Sequence, residues 1–378
     1  MTVQLRLERV AHGGIVVGRA DGKVIFVADG LPGELVEVEV AERGKRFDRG
    51  RVVKVLEPAE GRVAPPCPIA GECGGCDWQH ADASTQLALK TAVVAEQLSR
   101  LAGLSWDGAV EPVPGGLLGW RTRVRYAVDD AGRVGLRARR SHDVVPLPEQ
   151  GCLIAAPGPG VAELEREAVP GTDLQVTVAD RSVTMLRGRQ VIGPDPVEQT
   201  VLGRSFLVPA GGFWQVHPSA AETLTRAVLD GLRPRPEERA LDLYCGVGLF
   251  AGALSDAGCL VVGAELSREA VAFARRNVPE ATFVAAPIER AHRDLPDWAD
   301  LVVLDPPRKG AGADVVRAIL AREPRAIAYV ACDPAALARD LAIFADEGYV
   351  ASSIRGFDLF PMTHHVECVA ILHPAPRV

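Results

Sequence analysis

The sequence lacks any apolar run approaching the roughly 18–20 residues that a membrane helix needs, and no apolar leader follows Met1, where Glu8, Arg9 and Asp21 come early. These absences exclude a helical membrane span and predict a cytoplasmic protein without membrane association. It also lacks internal repeats and low-complexity tracts, which excludes a solenoid. Positive charge is not in excess: 42 Lys and Arg stand against 49 Asp and Glu, a formal net charge of −7. A uniformly basic nucleic-acid binder is therefore excluded, but local patches are not, because phosphates feel charge within a Debye length of about 8 Å. Such patches occur at Arg43-Gly44-Lys45-Arg46 with Arg49 and Arg51, at Arg121, Arg123 and Arg125, and at Arg137, Arg139 and Arg140. A reducing compartment disfavours disulfides, so the eight cysteines need another purpose. Cys67, Cys73, Cys76 and Cys152 lie in the first half, and Cys245, Cys259, Cys332 and Cys368 in the second.

The 378 residues, 48% of them apolar, suffice for two or three domains with a sizeable core. Residues 3–56 read as short alternating strands separated by turns such as Asp21-Gly22 and Pro32-Gly33, the pattern of a small closed OB-type barrel. A helix is expected over about 84–101, with Ser84 as N-cap and Leu87, Val94 and Leu98 at helical spacing, able to pack on the C-terminal domain. Residues 110–208 read as mixed and mainly β. A helix at 220–232 leads to the linker Arg233-Pro234-Arg235-Pro236. Strand patterns at 240–244, 260–265, 281–285, 301–305, 326–331, 350–357 and 366–372 then alternate with helices at 268–277, 313–320 and 334–346. This is the pattern of an α/β doubly wound, mostly parallel sheet.

The chemistry concentrates at strand ends. Asp242-Leu243-Tyr244-Cys245-Gly246-Val247-Gly248 is a strand entering a glycine turn, and Glu265 ends the next strand, where an acid can bind both hydroxyls of a ribose. Dinucleotide and S-adenosylmethionine sites share this logic. The missing Gly-x-Gly-x-x-Gly, and the Asp305-Pro306-Pro307 loop after the fourth strand, favour the methyl donor. Cys332 follows an apolar strand and precedes Asp333-Pro334, a helix start whose N–H groups favour a thiolate. A thiolate adding to carbon 6 of uracil gives carbon 5 carbanion character, so that carbon 5 can accept a methyl group. A base must then remove the carbon 5 proton; Glu367, at the start of the last strand, is the candidate. Cys368 should face the other way and be structural. A cytosine 5-methyltransferase would use the same thiol addition, but its Pro-Cys dipeptide after the fourth strand is missing. Cys67, the Cys73-Gly74-Gly75-Cys76 pair and distant Cys152 could bind zinc or an iron–sulfur cluster.

Taken together, these residues resemble the RNA 5-methyluridine methyltransferase family of the RumA/TrmA type, over nearly the whole chain. The resemblance implies a TRAM barrel at 1–58, an iron–sulfur and RNA-binding region at 59–210, and a class I methyltransferase domain at 211–378. It implies a 4Fe-4S cluster on Cys67, Cys73, Cys76 and Cys152, and S-adenosyl-L-methionine contacts from Gln215, Tyr244, Glu265 and Asp305. It assigns Cys332 as nucleophile and Glu367 as proton acceptor. Leu249, the Ala285-Ala286 pair and His217 depart from the family pattern. Phe213 and Trp214 are candidates for stacking on a base. The barrel and cysteine motif resemble ribosomal RNA enzymes more than the transfer RNA enzymes that lack both. The expected partner is therefore RNA, 23S ribosomal RNA first and transfer RNA second, bound by a monomer.

Overall fold

The computed structural model describes residues 2–291 and 294–376. The first five strands, Thr2–Ala11, Ile15–Ala20, Lys23–Ala28, Leu35–Arg43 and Phe47–Glu57, form a closed barrel. Alternation explains it: Leu5, Leu7, Val36 and Val38 point inward and are buried, while Arg6 and Glu37 point outward. The first three strands form an antiparallel meander. The barrel closes where Lys23–Ala28 runs parallel to Phe47–Glu57, the OB-type order.

A helix follows at Ala83–Ala102. Its N-cap is Asp82, not Ser84: an Asp82 oxygen accepts from Thr85 N at 2.7 Å, and Ser84 Oγ donates to that oxygen at 2.9 Å. The carboxylate accepts both bonds and so takes the cap position. The helix ends at Gly103, whose φ of 64° suits glycine. Its buried Val94 and Leu98 pack into the same apolar cluster as Leu304, Tyr329 and Phe344 of the C-terminal domain, as the sequence predicts.

That domain is built on eight strands, in the order Thr282–Ala285, Leu260–Glu265, Arg239–Leu243, Leu301–Leu304, Ala326–Ala331, Glu367–Pro374, Tyr349–Asp358 and Val110–Pro112. The first five are parallel. The last strand of the chain, Glu367–Pro374, inserts antiparallel between Ala326–Ala331 and Tyr349–Asp358. Helices cover both faces, so inner strands are apolar on both sides; every residue of Ala326–Ala331 is buried. The doubly wound class I architecture is thus as expected. The edge strand Val110–Pro112 pairs parallel with Tyr349–Asp358, so residues 83–112 pack on the catalytic sheet although they precede the central region. That region holds a six-stranded antiparallel sheet, from Arg123–Val128 through Gln190–Ile192, and the hairpin Val197–Val201 with Arg204–Val208.

Candidate active site

A cavity of about 840 Å³ lies at the C-terminal ends of the parallel strands. Gln215, Tyr244, Glu265, Asp305, Cys332 and Glu367 all line it. The chain brings them together from six segments.

At one end, strand Arg239–Leu243 runs into a turn where Tyr244, Gly246 and Gly248 have φ of 63°, 53° and 96°. This left-handed backbone favours the glycines and holds Tyr244 under strain. Asp242, fully buried, braces the turn: its Oδ2 accepts from Ala251 N at 2.8 Å in the helix that follows, and burial lifts its pKa to about 8. Glu265 faces the turn from the next strand, with Oε2 accepting from Gly246 N at 3.2 Å and Oε1 from Ser267 N at 2.7 Å. Its carboxylate is therefore oriented by backbone at the cavity wall.

Gln215 sits on an irregular loop whose course is set by Arg123. That guanidinium is buried and donates to Ala210 O at 3.0 Å and Gly212 O at 2.7 Å. The two neighbouring aromatics part company. Trp214 turns into the core against Phe206, ring centroids 5.6 Å apart, whereas Phe213 is 75% exposed at the cavity rim. Phe213 is the more exposed of the two aromatics at the cavity.

At the other end, Cys332 follows Ala326–Ala331. Asp333 caps the helix Pro334–Asp346, its side chain accepting from Ala336 N at 2.7 Å with Pro334 in the first turn. Asp333 also faces His12 Nε2 of the barrel at 3.2 Å. The antiparallel insertion of the last strand pairs Ala331 with Cys368, so Glu367 begins its strand beside the end of the strand that delivers Cys332. Cys368 points into the apolar cluster on one face of the sheet.

Burial raises the Cys332 pKa to about 12, the carboxylates of Glu367 and Asp305 add to the rise, and Arg308 opposes it. Burial likewise lifts Asp305 to about 7, and pushes Glu367 well up with help from the Asp305 charge. Two carboxyls and a thiol thus compete for negative charge beside one guanidinium. Arg308, Asp77, His364 and His365 also line the cavity and have no role in the reading from sequence. Arg308 had a local signal, its place directly after the Pro306-Pro307 loop; Asp77 and the histidines had none.

Cys67, Cys73, Cys76 and Cys152 line one small cavity in the central region, and all four are free thiols. Burial raises the pKa of Cys73, Cys76 and Cys152, with Cys76 reaching about 12, and the neighbouring thiol charges raise each further. No group of three or more His, Cys, Asp or Glu side chains able to hold one metal ion occurs among the described residues. The arginine patches are partly consumed internally: Arg123 as above, and Arg139 by Asp29 Oδ1 at 2.6 Å and Cys76 O at 2.8 Å. Arg43, Lys45, Arg46, Arg51, Arg125 and Arg140 are exposed.

Residues 292–374 match the family described as tRNA (Uracil-5-)-methyltransferase, and residues 241–305 match a general methyltransferase domain. The chain is 45% identical to a protein of Streptomyces avermitilis described as an uncharacterized RNA methyltransferase, covering 99% of this chain and 98% of the relative. It is 47% identical to a protein of Streptomyces coelicolor with the same description, covering 97% and 92%. Its fold is similar to that of the Pyrococcus abyssi tRNA (uracil-54, C5)-methyltransferase, solved with S-adenosyl-L-homocysteine. The TM-score is 0.75 at 22% identity, covering 97% of this chain and 100% of that one. The chain belongs to the RNA 5-methyluridine methyltransferase family of the RumA/TrmA type, and is an S-adenosylmethionine-dependent methyltransferase.

Proposed function

We propose that this enzyme methylates carbon 5 of a uridine in RNA, 23S ribosomal RNA before transfer RNA, through a covalent adduct between Cys332 and carbon 6 of the base. The observation that carries the reading is the meeting of Cys332 and Glu367 at one sheet rim, in a cavity shared with Glu265 and Asp305. S-adenosyl-L-methionine, when bound, supplies an electrophilic methyl group; Gln215, Tyr244, Glu265 and Asp305 hold it, Glu265 through the ribose hydroxyls. Cys332 adds to carbon 6 as the thiolate, carbon 5 takes the methyl group as the donor's sulfonium becomes a neutral thioether, and Glu367 removes the carbon 5 proton as the thiolate leaves. The buried, raised Glu367 suits this role, because a base of higher pKa takes a carbon-bound proton more readily. The uridine must leave its stack to enter the cavity.

The division into a TRAM barrel at 1–58, a central region at 59–210 and a catalytic domain at 211–378 belongs to this reading. So does a 4Fe-4S cluster on Cys67, Cys73, Cys76 and Cys152. The four thiols line one cavity and would hold the cluster as thiolates. The cluster would tie residues 67–80 to Cys152 and take no part in methyl transfer. Because the Pyrococcus abyssi tRNA enzyme aligns with 97% of this chain, the barrel alone does not separate the two RNA classes. Mass-spectrometric nucleoside analysis of both RNAs, with and without the gene, does. Loss of 5-methyluridine from ribosomal RNA is expected. Loss from transfer RNA only would change the substrate, and unchanged 5-methyluridine would overturn the reading.

A further inference from the structure

Glu367 is delivered by a loop, residues 359–366, that belongs to no helix or strand. Such a segment has no ladder to fix it, so its place is set by whatever side chains grip it. From the helix Ala83–Ala102, Lys90 Nζ donates to Asp358 Oδ1 at 2.5 Å and to Phe360 O at 3.0 Å, while Met362 N donates to Gln86 Oε1 at 2.8 Å. From the cysteine loop, Asp77 N and Trp78 N both donate to Met362 O, at 2.9 and 3.0 Å.

The closest grip to Glu367 is a pair 287 residues apart in the chain. Asp77 Oδ2 accepts from His364 Nδ1 at 2.6 Å and from His364 N at 3.1 Å, so one carboxylate oxygen fixes both ring and backbone. The His364 ring lies over His365, centroids 4.1 Å apart. Barrel residue Gly14 backs it so closely that a Cβ there would fall 2.6 Å from His364 Cβ, and Trp78 Nε1 holds Gly14 O at 3.0 Å. Asp77 directly follows Cys76, and both Asp77 and His364 line the reaction cavity.

We propose that Asp77 and His364 are positioning residues, forming a clasp by which the cysteine loop sets the place of Glu367 for removal of the carbon 5 proton. The inference rests on the role given to Glu367 above. It predicts a selective defect: addition and methyl transfer need Cys332 and the donor site, to neither of which the clasp's own hydrogen bonds run, whereas elimination needs Glu367 aimed at carbon 5. A displacement of about 1 Å in a reacting group costs up to roughly a hundredfold in rate.

The test uses the full-length protein, S-adenosyl-L-methionine, and 23S ribosomal and transfer RNA transcripts made with uridine or 5-deuterouridine. Asp77→Asn and His364→Ala are expected to lower kcat between about tenfold and a hundredfold, with the KM for the donor unchanged. They should accumulate methylated RNA covalently attached to the protein on denaturing gels, and raise the deuterium isotope effect. His364→Asn, whose amide can replace the Nδ1–H donor, should restore most of the rate. Glu367→Gln is the control and should accumulate the same adduct. If it does while the Asp77 and His364 variants turn over normally, or slow without adduct or isotope effect, the clasp is overturned. If Glu367→Gln itself accumulates no adduct, the role of Glu367 fails, and the inference with it.

Discussion

The acid-rich surroundings of Cys332 make a quantitative demand on the donor-free protein. Burial and the charges of Glu367 and Asp305 move the thiol from 9.0 to about 12. Three pH units correspond to a thousandfold less thiolate than an ordinary thiol holds at the same pH. Solvent on the open side of the cavity screens part of this, so alkylation by iodoacetamide at pH 8 should be slower by between about a hundredfold and a thousandfold. The assay follows the Cys332 peptide by mass spectrometry against time and pH, with a free cysteine peptide as reference. The rate should still be climbing at pH 10. Arg308→Met removes the opposing cation and should slow alkylation; Glu367→Gln should accelerate it at the alkaline end of the profile, where the raised Glu367 carboxyl ionises. An inflection at pH 8–9 in the unaltered protein, or slower alkylation in Glu367→Gln, would refute the reasoning. A thiol held protonated between turnovers is also protected from oxidation and stray electrophiles.

Three other outcomes are expected. Lys90→Met strands the buried carboxylate of Asp358 and should cost about 3–5 kcal/mol of stability in thermal or chemical unfolding. Lys90→Met/Asp358→Leu should recover most of that loss, and equal destabilisation of both variants would refute the pairing argument. Glu265→Ala should weaken S-adenosyl-L-methionine binding by calorimetry by about 1.5–3 kcal/mol, the worth of hydrogen bonds to a charged group. Trp214→Ala should destabilise the fold by about 3–5 kcal/mol, whereas Phe213→Ala should leave melting unchanged and cost about 1–3 kcal/mol in RNA filter binding, as expected for a lost stacking contact.

The catalytic sheet was legible because its signals are local. Helices Arg268–Asn277, Ala313–Leu320 and Pro334–Asp346 begin and end where the sequence predicts, helped by caps such as Ser267 and Asp333. Tyr244, Glu265, Asp305, Cys332 and Glu367 stood out because each sits at a strand end beside a turn, whereas Gln215, on a loop, followed only from the family resemblance. What the sequence hid depends on distance or competition. Asp82 and Ser84 can both cap a helix, and only geometry shows the serine donating to the aspartate. Phe213 and Trp214 are adjacent aromatics, and only packing separates them. Arg123 and Arg139 read as surface charge until their carbonyl partners appear. The raised pKa of Cys332 comes first from burial and then from acids delivered by two other strands, which no local pattern encodes.

The chain's path through its own sheet limits how the enzyme can be taken apart. Strand Val110–Pro112 and the helix before it complete the catalytic layer from the far side of the central region. A fragment of 211–378 would therefore expose the edge of Tyr349–Asp358 and the apolar face that Val94, Leu98 and Val110 cover. Open edges of this kind invite pairing with other chains. The methyltransferase unit is not a cassette that recombination or cloning can lift out by a single cut. Any transplant to another RNA-binding partner has to carry the segment 83–112 with it.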